Sequence, residues 1–428
     1  MGFSILPLLS LSLSLVVLAV LFLGELFIAV RSTTHPSDIQ ALKDLLQAVD
    51  PTSIPQGSCL SSWDFSYDPC DSSYGQRFSC GIRCDLNDSG LARVTELALD
   101  SAGYSGPLSV SPGRLPFLGT LDVADNRFSG PLPPAISNLT RLSRLSLSRN
   151  SFSGQIPPDF SSLSDLQHLY LDNNLLSGQI PPALGSGLRS LVRLELQSNR
   201  LSGEFPDLSG LKNLAFVDAS DNLLSGPVVL RRFPPSIVQI SMRDNQLEGE
   251  LSEGISDLPL LQVVDLSHNR LSGEVPAAVF EHPSLEQVTL SYNGLSSVGV
   301  PAGGGRGSGL IALDLGHNRV EGLVPAFMGL MPRLSALSLE SNRLTGMIPA
   351  QYGLKAAGEG VAPFERLILS GNYLFGPIPG PFMGMKPGSA MVSLADNCLI
   401  RCPNIFFFCQ GGAQKSWTDC YNFSPVIP

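Results

Sequence analysis

Apolar and polar positions along this chain follow a beat that returns every two dozen residues. In one clear stretch, Leu142-x-x-Leu145-x-Leu147-x-x-Asn150-x-Phe152-x-Gly154-x-Ile156-Pro157, two leucines flank a polar residue, and an asparagine follows three places on. The Leu-x-Leu alternation predicts a short strand with one buried face. The asparagine falls where the chain must leave that strand, and a buried amide there can satisfy backbone groups that the turn strands. Gly then supplies backbone freedom, and Ile-Pro fixes an extended segment on the far side.

The asparagine register runs Asn126, Asn150, Asn174, Asn199, Asn222, Asn245, Asn269, Asn293, Asn318, Asn342, Asn372 and Asn397. Ten steps of 23 to 25 residues and one of 30 define a repeat array rather than ordinary globular domains. A further unit, Val94 to Leu99, precedes them with Ala102 at the asparagine place, making about thirteen repeats over residues 91–400. Stacked one strand per repeat at about 4.8 Å, they predict a parallel concave sheet roughly 60 Å long. The longer step before Asn372 is a small insertion around Gln351–Ala362, and Gly303–Gly309 reads as a turn on the convex side.

Composition agrees with many short elements joined by turns: 42 Gly, 34 Pro and 15% charged residues among 428. The net charge of −10 excludes a nucleic-acid binder, which needs clustered Lys and Arg. Residues 5–23 are uncharged and largely apolar, so residues 1–30 read as a secretory signal peptide, with an uncleaved membrane anchor as the alternative. Eight cysteines divide into Cys59, Cys70, Cys80, Cys84 and Cys398, Cys402, Cys409, Cys420, predicting disulfide caps over 31–90 and 401–428 rather than a zinc site. Sequons at Asn87, Asn138 and Asn422 fit secretion and glycosylation.

The Leu-x-Gly-x-Ile-Pro half of the unit resembles the plant-type leucine-rich repeat. That likeness implies an α/β-type leucine-rich-repeat superhelix with a parallel concave sheet, an irregular or 3-10 convex side and a cap at each end. Ser37–Lys43 reads as a short amphipathic helix, and Leu60-Ser-Ser-Trp63 leads to Asp68-Pro69-Cys70. Together they resemble the N-terminal cap of plant receptor-like kinases and receptor-like proteins. The resemblance implies a Cys70–Cys84 bridge, which leaves Cys59 for Cys80. Phe78-Ser-Cys80-Gly81 departs from the family's usual Trp-x-Gly. The four C-terminal cysteines leave three pairings open.

On such a solenoid the strand residues facing the concave side are exposed and free of core duties. Between the buried pair they run Asp122, Ser146, Tyr170, Glu195, Asp218, Ser241, Asp265, Thr289, Asp314 and Ser338, an acidic and hydroxyl-rich row suited to a polar or basic peptide or to sugar hydroxyls. Aromatic and Arg residues typical of binding hot spots gather in repeats three to six. The expected ligand site is therefore Arg144, His168, Tyr170, Asp172, Arg193, Glu195, Phe216 and Asp218. A weaker group is His268, Tyr292 and His317, one per repeat.

No nucleophile elbow, paired carboxylates or metal motif stands out, so neither enzyme activity nor a cofactor or metal is expected. Eight residues follow Cys420, which leaves no room there for a membrane span or kinase. The expectation is an extracellular, receptor-like recognition protein that binds a peptide or protein ligand and acts through a membrane receptor kinase partner. The alternative is a secreted inhibitor of a wall-degrading enzyme such as polygalacturonase.

Overall fold

A computed structural model describes residues 34–71, 80–86, 90–108, 114–251, 253–358 and 362–423. The signal-peptide segment and the Asn87 sequon lie outside these residues. The core is a fourteen-stranded sheet whose strand order follows the chain. Its first strand, Ile82–Leu86 of the N-terminal cap, runs antiparallel to Ala92–Ala98; every later pairing is parallel, out to Met391–Ser393. The thirteen parallel strands match the thirteen units of the sequence. Each buries its central apolar residue, as Leu145, Leu169, Leu194 and Val217 do at no more than 1% exposure. At about 1.5–3 kcal/mol per fully buried side chain, this continuous apolar column is what holds the repeats together.

The asparagines do what their spacing implies. Asn150 Nδ2 donates to the carbonyls of Val123, Leu147 and Ser148, while its Oδ1 accepts from the Phe128 N–H of the preceding repeat. The same four bonds recur at Asn372, which is fully buried. After the last asparagine the C-terminal cap continues the pattern: Gln414 Oε1 accepts from Leu399 N–H at 3.1 Å, and its Nε2 donates to the Leu394 carbonyl. A side chain from outside the repeats thus closes the ladder.

Two features were not anticipated. The residue before each asparagine adopts a left-handed backbone, from Asp125 (φ 58°) through Tyr292 (φ 56°) to Asp396 (φ 51°). The turn that carries the asparagine amide inward demands it, and Asp, Asn, Ser and His tolerate it better than bulky residues do. Beyond the asparagine, the chain also forms a second ladder. Nine strands run from Ser105–Pro107 to Gly294–Val298, and four more from Glu321–Leu323 to Cys398–Ile400. In most repeats a glycine four places beyond the asparagine reaches φ near 80° there, as Gly154 (82°) and Gly178 (80°) do. Ser297 stands at that place in the Asn293 repeat, and the pairing slips by one residue beside it, between Gly273 and Glu274. The ladder ends one residue later.

The convex side carries 3-10 turns such as Pro134–Asn138 and Pro158–Ser162. Gly303–Gly309 forms turns with no helix, and the insertion becomes a helix, Ala350–Ala356, whose Tyr352 is fully buried and whose Lys355 Nζ donates to the Met331 carbonyl at 2.7 Å. At the N-terminal end, helix Pro36–Ala48 lays Ala41, Leu42 and Leu45 over the open core. Its buried Asp38 takes two bonds from Arg93 and one from Val94 N–H. The disulfides are Cys59–Cys80, Cys70–Cys84, Cys398–Cys420 and Cys402–Cys409; the second is the one the cap's resemblance implied, and the first is the pair it left over. Among the described residues no helix is long and apolar enough to cross a membrane.

Candidate functional site

Strand register places the expected binding residues in two parallel rows on the concave face. Arg144, His168, Arg193 and Phe216 are consecutive partners in one row; Ser146, Tyr170, Glu195 and Asp218 are partners in the next. Each step along a row is one strand spacing, about 4.8 Å.

The side chains lock together in two similar units. The Arg144 guanidinium lies 4.6 Å from the Tyr170 ring centroid and 3.5 Å from the Asp122 carboxylate. The Arg193 guanidinium lies 4.2 Å from the Phe216 ring and donates to Glu195 at 2.9 Å. Phe216 therefore serves as a platform for an arginine rather than tucking into the core. His168 stands between the two units, its ring parallel to that of Tyr170 at 6.1 Å. Partial burial, then the charges of Arg144 and Arg193, hold its pKa below the usual histidine value.

A cation–π contact at such a site contributes about 0.5–1 kcal/mol and an exposed ion pair about 0.2–1 kcal/mol. The importance of these contacts is geometric. Both arginines remain accessible, with side chains 41% and 35% exposed, yet each is held by a ring and a carboxylate. Little side-chain freedom is left to lose when something binds.

Two of the expected residues behave differently. Asp172 does not join the surface: it is 3% exposed, accepts from Ser148 Oγ and Asn173 Nδ2, and lies 3.8 Å from Arg149. Its place two residues beyond Tyr170, at the strand exit, turns it inward. Asp218 uses Oδ1 to accept the Ser220 N–H at 2.9 Å, and Asp265 and Asp314 do the same for Ser267 and Gly316. Part of the acidic row is thus explained by strand-exit hydrogen bonds. Conversely, Asp122 was not among the expected site residues, although it anchors Arg144. Its diagonal position, on the strand before Arg144 in the row of Ser146, is the signal that finds it.

Elsewhere on this face, Ala312 and Ala336 leave a hollow of about 190 Å³ beside Thr289, Asp314, Ser338 and Arg366. His268, Tyr292 and His317 form a stack of three rings with centroids 4.1 Å apart, on the left-handed residues of three successive repeats. Of the sequons, Asn138 is exposed at the end of its convex turn, and Asn422 is exposed in the short helix Trp417–Phe423. Among the described residues no group of three or more His, Cys, Asp or Glu is placed to hold a metal ion.

Comparison with known proteins gives this geometry a context. The leucine rich repeat family model matches residues 116–176 and 283–344, and a second model of the same repeat matches 260–281. Phytosulfokine receptor 2 of Arabidopsis thaliana is 30% identical over 117 residues, covering 26% of this chain and 9% of that protein. Among solved structures, that of PEPR1 with AtPEP1 superposes with a TM-score of 0.72 at 31% identity, over 85% of this chain and 49% of the other. The plant peptide hormone receptor RGFR1 in complex with RGF2 gives 0.64 at 29% identity, over 72% and 48%. The chain spans about a tenth of the curated relatives it matches and about half of these receptor chains. Residues 116–176, 260–281 and 283–344 thus carry leucine rich repeats, and the solenoid is similar in fold to PEPR1 and to the plant peptide hormone receptor RGFR1.

Proposed function

We propose that this protein binds a peptide or protein ligand on its concave face, through Arg144, His168, Tyr170, Arg193, Glu195, Phe216 and Asp218, and acts through a membrane receptor kinase partner outside the cell. The observation that carries the reading is the pair of arginine–aromatic units at fixed spacing on a rigid sheet. Exposed Tyr and Arg held in advance are the residues that dominate binding energy in protein interfaces. The likeness to receptors solved with peptide ligands supports the choice of ligand class. The four disulfides fit an oxidising, extracellular setting, and exposed Asn138 fits a glycan.

Capture of partners from plant membranes with the purified chain tests this. A receptor kinase should be recovered, and Tyr170→Ala or Phe216→Ala should weaken capture by about 30-fold, the scale of a hot-spot residue. Recovery of a polygalacturonase and no kinase would favour the inhibitor reading. Capture indifferent to both substitutions would remove the site.

A further inference from the structure

Three consecutive strands place Arg144, His168 and Arg193 side by side, so that His168 has an arginine one strand away on either side. Each arginine has five N–H donors, and its carboxylate partner, Asp122 or Glu195, engages only part of them. His168 makes no side-chain hydrogen bond among the described residues; its ring contact is with Tyr170. The groups around it are Tyr170 on its own strand, Arg144 with Asp122 on one side, and Arg193 with Glu195 on the other. Asp172 is turned beneath the surface toward Ser148. The charges that act on the imidazole are the two cations, both of which oppose its protonation. The surface thus has spare arginine donors and an unused imidazole between two guanidinium groups, each matched in charge by one carboxylate.

We propose that Arg144, His168 and Arg193 form a subsite for the carboxylate of an acidic side chain of the ligand, and that His168 takes up one proton from solvent as the subsite fills. The proposal rests on the concave-face reading above and names the chemistry of one part of the ligand. Burial opposes a charged imidazole first and the two guanidinium charges next; a carboxylate lodged between the arginines offsets the second of these and accepts a hydrogen bond that the protonated ring can donate. No covalent bond changes; the imidazole gains a proton and the complex gains an ion pair. Binding and protonation then favour each other, so affinity rises as pH falls through the imidazole range, until the ligand's own carboxylates protonate near 4.3.

The test uses the whole chain with acetylated tetraglutamate amide and its tetraglutamine counterpart as probes. Calorimetry between pH 7.5 and 5.5, in two buffers of different ionisation enthalpy, reads affinity and proton uptake together. Tetraglutamate should bind about fivefold more tightly at pH 5.5 than at 7.5 with net proton uptake, as expected if filling the subsite raises the imidazole pKa by somewhat under one unit. Tetraglutamine should not bind. His168→Gln should lose the pH dependence and the proton uptake, and Arg193→Gln should weaken binding at least about tenfold at both pH values. An unchanged pH slope in His168→Gln, equal binding of tetraglutamine, or no binding of tetraglutamate would overturn the proposal. If a captured partner still depends on Tyr170 and Phe216 when tetraglutamate fails, the concave-face reading stands and only the acidic subsite falls. If capture ignores both aromatics, that reading falls by itself.

Discussion

Replacing Asn372 by alanine isolates what the asparagine ladder contributes. Its amide serves four backbone groups: the carbonyls of Leu339, Leu369 and Ser370 at 2.9 to 3.3 Å and the Leu344 N–H at 3.0 Å. The site is fully buried, so no water replaces them without a rearrangement. An orphaned buried donor costs about 1–3 kcal/mol, and a lost neutral hydrogen bond a further 0.5–1.5 kcal/mol. Alanine at 372 should therefore cost roughly 1.5–4.5 kcal/mol. Asn245 supplies a built-in control, with the same four kinds of bond at 2.9 to 3.2 Å in a half-buried setting. Water can reach those groups, and the same substitution should cost about 1 kcal/mol there. Because a long repeat array need not unfold as one unit, amide hydrogen exchange is the right assay. Protection of the Leu344 amide should collapse in Asn372→Ala, whereas that of Leu224 should fall modestly in Asn245→Ala. Equal losses at the two sites would refute the argument that burial sets the cost.

Other perturbations follow from the same structure. Arg93→Met removes the ion-pair partner of Asp38, buried beneath the N-terminal helix, and should destabilise the cap by about 3–5 kcal/mol, read as early loss of helix signal on heating. A Cβ on Gly187 would collide with the Ser161 carbonyl, whereas one on Gly307 meets nothing within 4 Å. Gly187→Ala should cost about 1–3 kcal/mol and Gly307→Ala should be neutral or slightly stabilising in thermal melts. Buried His282 accepts from the Ser284 and Leu285 N–H groups and donates Nε2–H to the Leu258 carbonyl, the pattern of a neutral ring, and burial lowers its pKa. The unfolded chain therefore binds that proton first. The stabilisation is complete above about pH 6.5 and is lost as pH falls below it, so the Tm should decline from pH 7 to 5 more steeply in the natural protein than in His282→Asn.

The repeat was legible because its determinants are local. A leucine pair sets a strand, and an asparagine three residues later sets the turn, whatever lies elsewhere in the chain. The second ladder was not, because its strands are defined by pairing between neighbouring repeats and by a glycine φ that no hydrophobic pattern records. The proposed patch shows the same division. Counting along the repeats brought Arg144, Tyr170, Arg193 and Phe216 onto one face, since that needs only the period of two. That Arg144 takes Asp122, and that Asp172 turns inward toward Ser148, depends on side-chain reach across strands, where the partners are some 22 to 24 positions away in sequence.

The ladder of strands also makes the length of this molecule a stepwise quantity. Each asparagine reaches only its own turn and the repeat before it, as Asn150 does with Val123 and Phe128. Loss or duplication of one whole unit would therefore leave every remaining bond of the same kind intact. Such an event between Phe216 and the C-terminal cap would move the cap relative to the arginine–aromatic units by one increment of about 4.8 Å, without altering either. Reach can be adjusted by counting units while recognition chemistry stays fixed, and a few surface substitutions can change recognition while reach stays fixed.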